Sequence, residues 1–155
     1  MIDRQATSPK YFAALLWALS FLFVLRVAAQ AAQNWLPQSY LPPFHAFQGS
    51  NLPYWFLLSA QLAIIAVMFY YAWRVQRGEL TPSLRAARIL GVLGAIYLAG
   101  SVVRIAVGLL FDNAPAWFHA WISEIFHLVL AGYVLTICAW HFNRLRIGNA
   151  KGLAS

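Results

Sequence analysis

The sequence predicts an all-α fold, a four-helix bundle crossing a membrane with both ends on the cytoplasmic side. Three observations predict it. Hydrophobic residues make up 62% of the 155 residues and charged residues only 10%, whereas soluble domains carry about 25% charged residues. The apolar residues are gathered into four long runs. Every Lys and Arg outside those runs falls on one side of the resulting topology. The length fits a single membrane domain over residues 1–155.

A bilayer core takes roughly 20 mostly apolar residues per helix, and four stretches meet that length: about Tyr11–Ala32, Tyr54–Trp73, Ile89–Phe111 and Trp121–Trp140. The runs are continuously apolar, without the period-two alternation of transmembrane strands. Orientation follows from basic residues in the short connections. Arg4 and Lys10 precede the first span, Arg74, Arg77, Arg85 and Arg88 separate the second and third, and Arg144, Arg146 and Lys151 follow the fourth. The segments 34–53 and 112–120 contain no Lys or Arg. The ends and the middle loop are therefore expected in the cytoplasm, with Trp35, Trp55, Trp117 and Trp121 at the outer interface and Trp73 and Trp140 at the inner one.

A competing reading makes the N-terminus a cleaved signal peptide, with Ala28-Ala29-Gln30-Ala31 as the small-residue cleavage region. The apolar run is long for that role, and Arg26 sits awkwardly just before the cleavage region. Segment 34–53 holds Pro37, Pro42, Pro43 and Pro53 among aromatics. It is expected as a loop on the membrane surface without regular helix. Pro115, following Asp112-Asn113, reads as the start of an interfacial turn before the fourth span.

The net charge of +7 does not indicate nucleic acid, because the basic residues form no patch with interleaved aromatics. The single cysteine, Cys138, excludes an intrachain disulfide and paired-cysteine zinc sites; no metal site is expected. His127 and His141, fourteen apart on one helix, have the spacing of dihaem cytochromes b. Those proteins need matching histidines on a second helix, and His45 and His119 fall in or near the outer loops, so haem is marked down. Ser123, Glu124 and His127 adjoin, but no GxSxG, HExxH or phosphate-loop motif is present. No motif names a reaction, so the reading leans away from an enzyme without deciding it, and no cofactor is named by the residues.

The informative residues are polar ones inside the spans. Charges at mid-bilayer are costly; they face the bundle interior, pair, and mark function. At 1.5 Å per residue, Arg26 and Arg104 each lie about 7 Å outward of the centre of their spans. Glu124 and His127 lie about 5–10 Å outward and Gln61 about 4 Å. Helices running in alternating directions thus place these residues in one layer, in the outer half of the membrane. Arg26, Gln30 and Gln33 share a stripe at i, i+4, i+7, and Glu124 and His127 share a face at i, i+3. Arg104 is placed on one face with Tyr97, Gly100, Ser101 and Gly108, so Gly100 and Ser101 are expected to pack on a neighbouring helix.

Two arginines facing one carboxylate leave a positive charge over when His127 is neutral. The candidate ligand site is therefore Arg26, Gln30, Gln61, Arg104, Glu124 and His127. A lipid phosphate, a carboxylate or a quinone carbonyl would suit it. The bland reading of the same residues is structural glue between helices.

Leu41-Pro42-Pro43-Phe44, Gly49, Leu52-Pro53-Tyr54 and Leu57 to Gln61, with Leu25-Arg26-Val27, Gln30, Val103-Arg104 and Phe126-His127, resemble a group of small, functionally uncharacterised bacterial four-helix membrane proteins. The resemblance implies an architecture and a bacterial inner (plasma) membrane, and no activity. A looser resemblance, on span count and the Pro-Pro-aromatic loop, is to four-helix sterol-isomerase-like proteins, which also place acidic residues in outer-side spans. Two function classes follow. The first, favoured by the sequence, is a non-enzymatic accessory or scaffold subunit with a membrane-protein partner or a second copy of the chain. The second binds or processes an anionic amphiphile, lipid or quinone at the Arg/Glu/His layer.

The orientation is tested by Ser50→Cys. A membrane-impermeant thiol reagent is expected to label it in intact spheroplasts, while labelling only after lysis would invert the topology.

Overall fold

A computed structural model describes residues 9–47, 52–111, 113, 115, 118 and 121–152. Arg4, Ser50, Asp112, Trp117 and His119 lie outside the described residues, as do the side chains of His45, Trp121 and Lys151. The chain forms α1 (Pro9–Trp35), the single turn α2 (Phe44–Phe47), α3 (Tyr54–Arg77), α4 (Leu84–Leu110) and α5 (Trp121–Gly152). The described residues contain no strand. All but α2 are long and apolar enough to cross a membrane, so the all-α, four-span architecture stands.

Local chemistry sets the helix ends. Gly78 closes α3 with φ +70°, a left-handed conformation that L side chains adopt at a cost. Its N–H and that of Glu79 return to the Val75 and Arg74 carbonyls. Ser83 caps α4, its hydroxyl accepting from the Ala86 N–H at 3.3 Å. This cap explains why α4 begins at Leu84 rather than at Ile89. Pro115 opens a turn in which the Phe118 N–H returns to its carbonyl at 2.9 Å.

Cross-helix pairs fix an antiparallel register. Trp17 Nε1 donates to Gln76 Oε1 at 2.6 Å at one end of the α1–α3 pair. Trp35 and Tyr54 meet edge to face at the other. On the α4–α5 pair, the Cys138 thiol donates to the Ala87 carbonyl, and Arg104 meets Glu124 further along. The bundle thus has a proline end (36–47, 52–53, 111, 113, 115 and 118) and an arginine end (78–83 with the start of α1 and the end of α5). Helix α1 packs on α3 and α5, and α5 packs on α4. The two central helices bury 39% and 44% of their apolar windows, against 17% for α3 and 11% for α4, which marks the latter as flanks.

The packed core joins α1, α3 and α5 and sits toward the arginine end: Leu16, Phe23, Met68, Ala72, Tyr133 and Trp140 are all buried. Outward faces are apolar, with Leu25, Ile96 and Leu109 each more than 60% exposed. Water would not tolerate so large an apolar surface, but lipid demands it. Hydroxyls inside the bundle bond within it. Ser20 and Thr136 donate to carbonyls four residues earlier, and Tyr133 donates to the Met68 carbonyl.

Three expectations are corrected. Trp140 is not an interface residue: it is 1% exposed and belongs to the core, because α5 continues twelve residues past it. Segment 34–53 does contain a helix, the turn Phe44–Phe47. Pro42 and Pro43 precede it, where a missing N–H costs nothing. Phe47 is buried, so this turn tucks into the bundle mouth, while Leu36 and Tyr40 of the same segment stay exposed. Gly100 does not pack on another helix. A side chain added there meets open space, whereas at Gly94 its Cβ would lie 2.8 Å from Leu135 Cδ2. The inward stripe of α4 is Ala87, Gly94 and Ser101; at 100° per residue Gly100 points well away from it.

Overpacking a close helix contact costs about 1–3 kcal/mol. Gly94→Leu is therefore expected to lower the melting temperature in detergent and Gly100→Leu to leave it unchanged. The reverse order would refute the α4–α5 register.

Candidate functional site

The sequence-predicted polar residues converge at the proline end in two linked groups. The first lies between α1 and α3. Arg26 Nη1 donates to Gln30 Oε1 at 2.6 Å, and Gln61 Nε2 donates to the same oxygen at 3.1 Å. Arg26 Nη2 donates to the Phe47 carbonyl at 2.8 Å, drawing α2 into the bundle. The guanidinium carbon sits 5.9 Å from the Phe126 ring centroid, within cation–π range. Arg26, Gln30 and Gln61 are 7%, 0% and 4% exposed.

The second group lies between α4 and α5. Arg104 Nη1 is 2.6 Å from Glu124 Oε1, and His127 Nδ1 is 3.3 Å from the same oxygen. Glu124 is 2% exposed. Tyr97, one α4 repeat before Arg104, stands edge-on to the His127 ring at 5.5 Å. The i, i+3 spacing of Glu124 and His127 puts both on the face that α4 covers.

Both groups wall one cavity of about 320 Å³, lined by Arg26, Gln61, Arg104 and His127 with Phe47 and Phe126 among others. The charges do not balance across it. Arg104 takes Glu124. Among the described residues Arg26 contacts only neutral acceptors, the Gln30 amide and the Phe47 carbonyl, and its Nε has no partner. Gln61 Oε1 and Gln30 Nε2 are also buried without partners. A guanidinium carries five N–H donors, and here two are used.

Of the six candidate residues, the structure brings all into this constellation. Gln33, on the same α1 stripe, instead accepts from the Gln38 N–H and anchors the loop. His141 stands apart at the arginine end, where Nδ1 accepts from the Ser83 N–H at 3.2 Å. Sequence reasoning missed the Phe47 carbonyl; it placed Tyr97 on the Arg104 face and noted Phe126 beside His127 but counted neither among the site residues. The signal for the turn that holds Phe47 was Pro42-Pro43 ahead of a short aromatic stretch, a helix start rather than a helix ban.

Comparison with known proteins returns no matching family model, no matching curated relative and no matching solved structure. The chemistry of the site is read from its geometry: two guanidiniums and one carboxylate lie at a cavity, and among the described residues only one of the guanidiniums has a carboxylate partner.

Removing one partner of a buried ion pair costs about 3–5 kcal/mol, mostly through the charge left behind. Arg104→Met is expected to destabilise by that order, and adding Glu124→Gln should recover most of the loss. Unfolding in mixed micelles measures both; a double variant no more stable than the single one would show that the pair is not coupled.

Proposed function

We propose that this chain is a binding protein for an anionic amphiphile of the outer leaflet in a bacterial inner membrane. Its termini lie in the cytoplasm and its polar cavity in the outer half of the bilayer. The orientation is supported by the basic residues at the arginine end and their absence at the proline end. The bacterial setting is supported by the Leu-Pro-Pro-Phe and Leu-Pro-Tyr resemblance.

The observation that carries the reading is Arg26, a buried guanidinium on a cavity wall with no carboxylate among its contacts with the described residues. An uncompensated buried charge is expensive, and in hydrocarbon more so. A phosphate or carboxylate headgroup in the cavity would neutralise it and would use Arg26 donors that the protein leaves open. A quinone carbonyl could accept a hydrogen bond there but would not supply the missing charge. Gln61 Oε1, buried and unpartnered on the same wall, would accept from a headgroup hydroxyl. The alternative, an accessory or scaffold subunit, has the lipid-like exposed faces of α3 and α4 as docking area, but it leaves the cavity without a purpose.

Native mass spectrometry of the protein released from mild detergent tests the proposal. The parent is expected to carry an anionic amphiphile of defined mass, and Arg26→Gln to lose it. A parent that arrives free of lipid and joined in fixed stoichiometry to another membrane protein would favour the subunit reading.

A further inference from the structure

Next to the polar cavity lies a second one of about 340 Å³ between α3, α4 and α5. Its wall includes Ala63, Val67 and Tyr71 from α3, Leu90 from α4, and Val134 and Ile137 from α5. The side-chain hydroxyls among its lining residues belong to Tyr71 and Tyr133, and that of Tyr133 is already bonded to the Met68 carbonyl. An apolar space of this kind does not hold water. The two cavities abut, since Ile64 and Leu130 line both. They lie end to end along the bundle, one polar toward the proline end and the other apolar toward the middle of the bundle.

The apolar cavity also has a side door. Helices α3 and α4 are flanks that pack on α1 and α5 respectively, so the space between them is floored by α5. Ala63 and Val67 line the apolar part and yet are exposed, Val67 by 55%. The cleft is therefore open sideways to the hydrocarbon. From Ala63 to Tyr71 it runs about 12 Å along α3, a single apolar cleft closed on its inner side by the packed Met68–Tyr133 contact.

We propose that the ligand is a single-chain amphiphile that enters between α3 and α4, its tail in this cleft and its compact anionic head, a carboxylate or a phosphate monoester, at Arg26. This rests on the headgroup reading above and adds the tail, its number and its route. A two-chain glycerophospholipid would place its second chain against the packed Met68–Tyr133 contact or out in the bilayer. A compact head suits the depth, because Gln61 lies about 10 Å below the start of α3.

The test uses the full chain in liposomes with two probes, palmitate and hexadecyl phosphate, each carrying a diazirine at the tail end. After illumination, labelled residues are mapped by mass spectrometry. Label is expected on Val67, Tyr71, Leu90 or Ile137 and is expected to fall about tenfold or more in Arg26→Gln, the scale of a lost charged hydrogen bond. It should fall likewise in Ala63→Trp and Val67→Trp, which block the cleft from exposed positions and leave the core packing alone. The stronger of the two probes identifies the head chemistry. Label that depends on Arg26 but maps to the outward faces, around Leu25 or Ile96, would overturn the tail site while keeping the head site. Label indifferent to Arg26, or none from either probe, would overturn both.

Discussion

The pairing of Arg104 with Glu124 decides the character of this protein. It consumes the carboxylate of the polar layer and so leaves Arg26 to be held by neutral oxygens. Two amide dipoles and an aromatic face soften a buried guanidinium without neutralising it. Among the described residues Arg26 therefore has no counter-charge, and the proposed anionic ligand would supply one. His127 Nδ1 lies 3.3 Å from the same carboxylate.

The architecture follows from where the polar groups must go. Helices apolar on all sides have no preferred face toward their neighbours in lipid, so small residues and hydrogen bonds choose the contacts. On α4 that stripe is Ala87, Gly94 and Ser101, seated on α5. On α1 it is Arg26 and Gln30, reaching Gln61 of α3. With α1 and α5 at the centre, α3 and α4 stand apart at the mouth, and the cavity is the space they leave. The turn α2 then closes part of that mouth by offering its Phe47 carbonyl to Arg26.

Much of this was legible in the sequence, and for one reason: in a membrane, depth is read by counting residues. The four spans and the common layer of Arg26, Gln61, Arg104, Glu124 and His127 came from rise per residue and alternating direction alone. What was not legible was azimuth and neighbour order. Gly100 and Gly94 are both small residues on an all-apolar helix, and only the position of α5 makes Gly94 the contact. Trp140 resembles a belt residue until α5 is seen to run past it into the basic tail. Which arginine would take Glu124 depended on which helix lies beside α5 at that level. Pro42-Pro43 could have announced the turn that holds Phe47, but not that its carbonyl would reach Arg26.

The central claim is that Arg26 is completed by a non-protein anion. An experimental structure determined in lipid nanodiscs from native membranes tests it most directly. The account predicts non-protein density in the cavity with a polar end within about 3 Å of the Arg26 guanidinium, and with the Arg104–Glu124 pair intact. Arg26 turned to share Glu124 with Arg104, around a collapsed cavity, would contradict it.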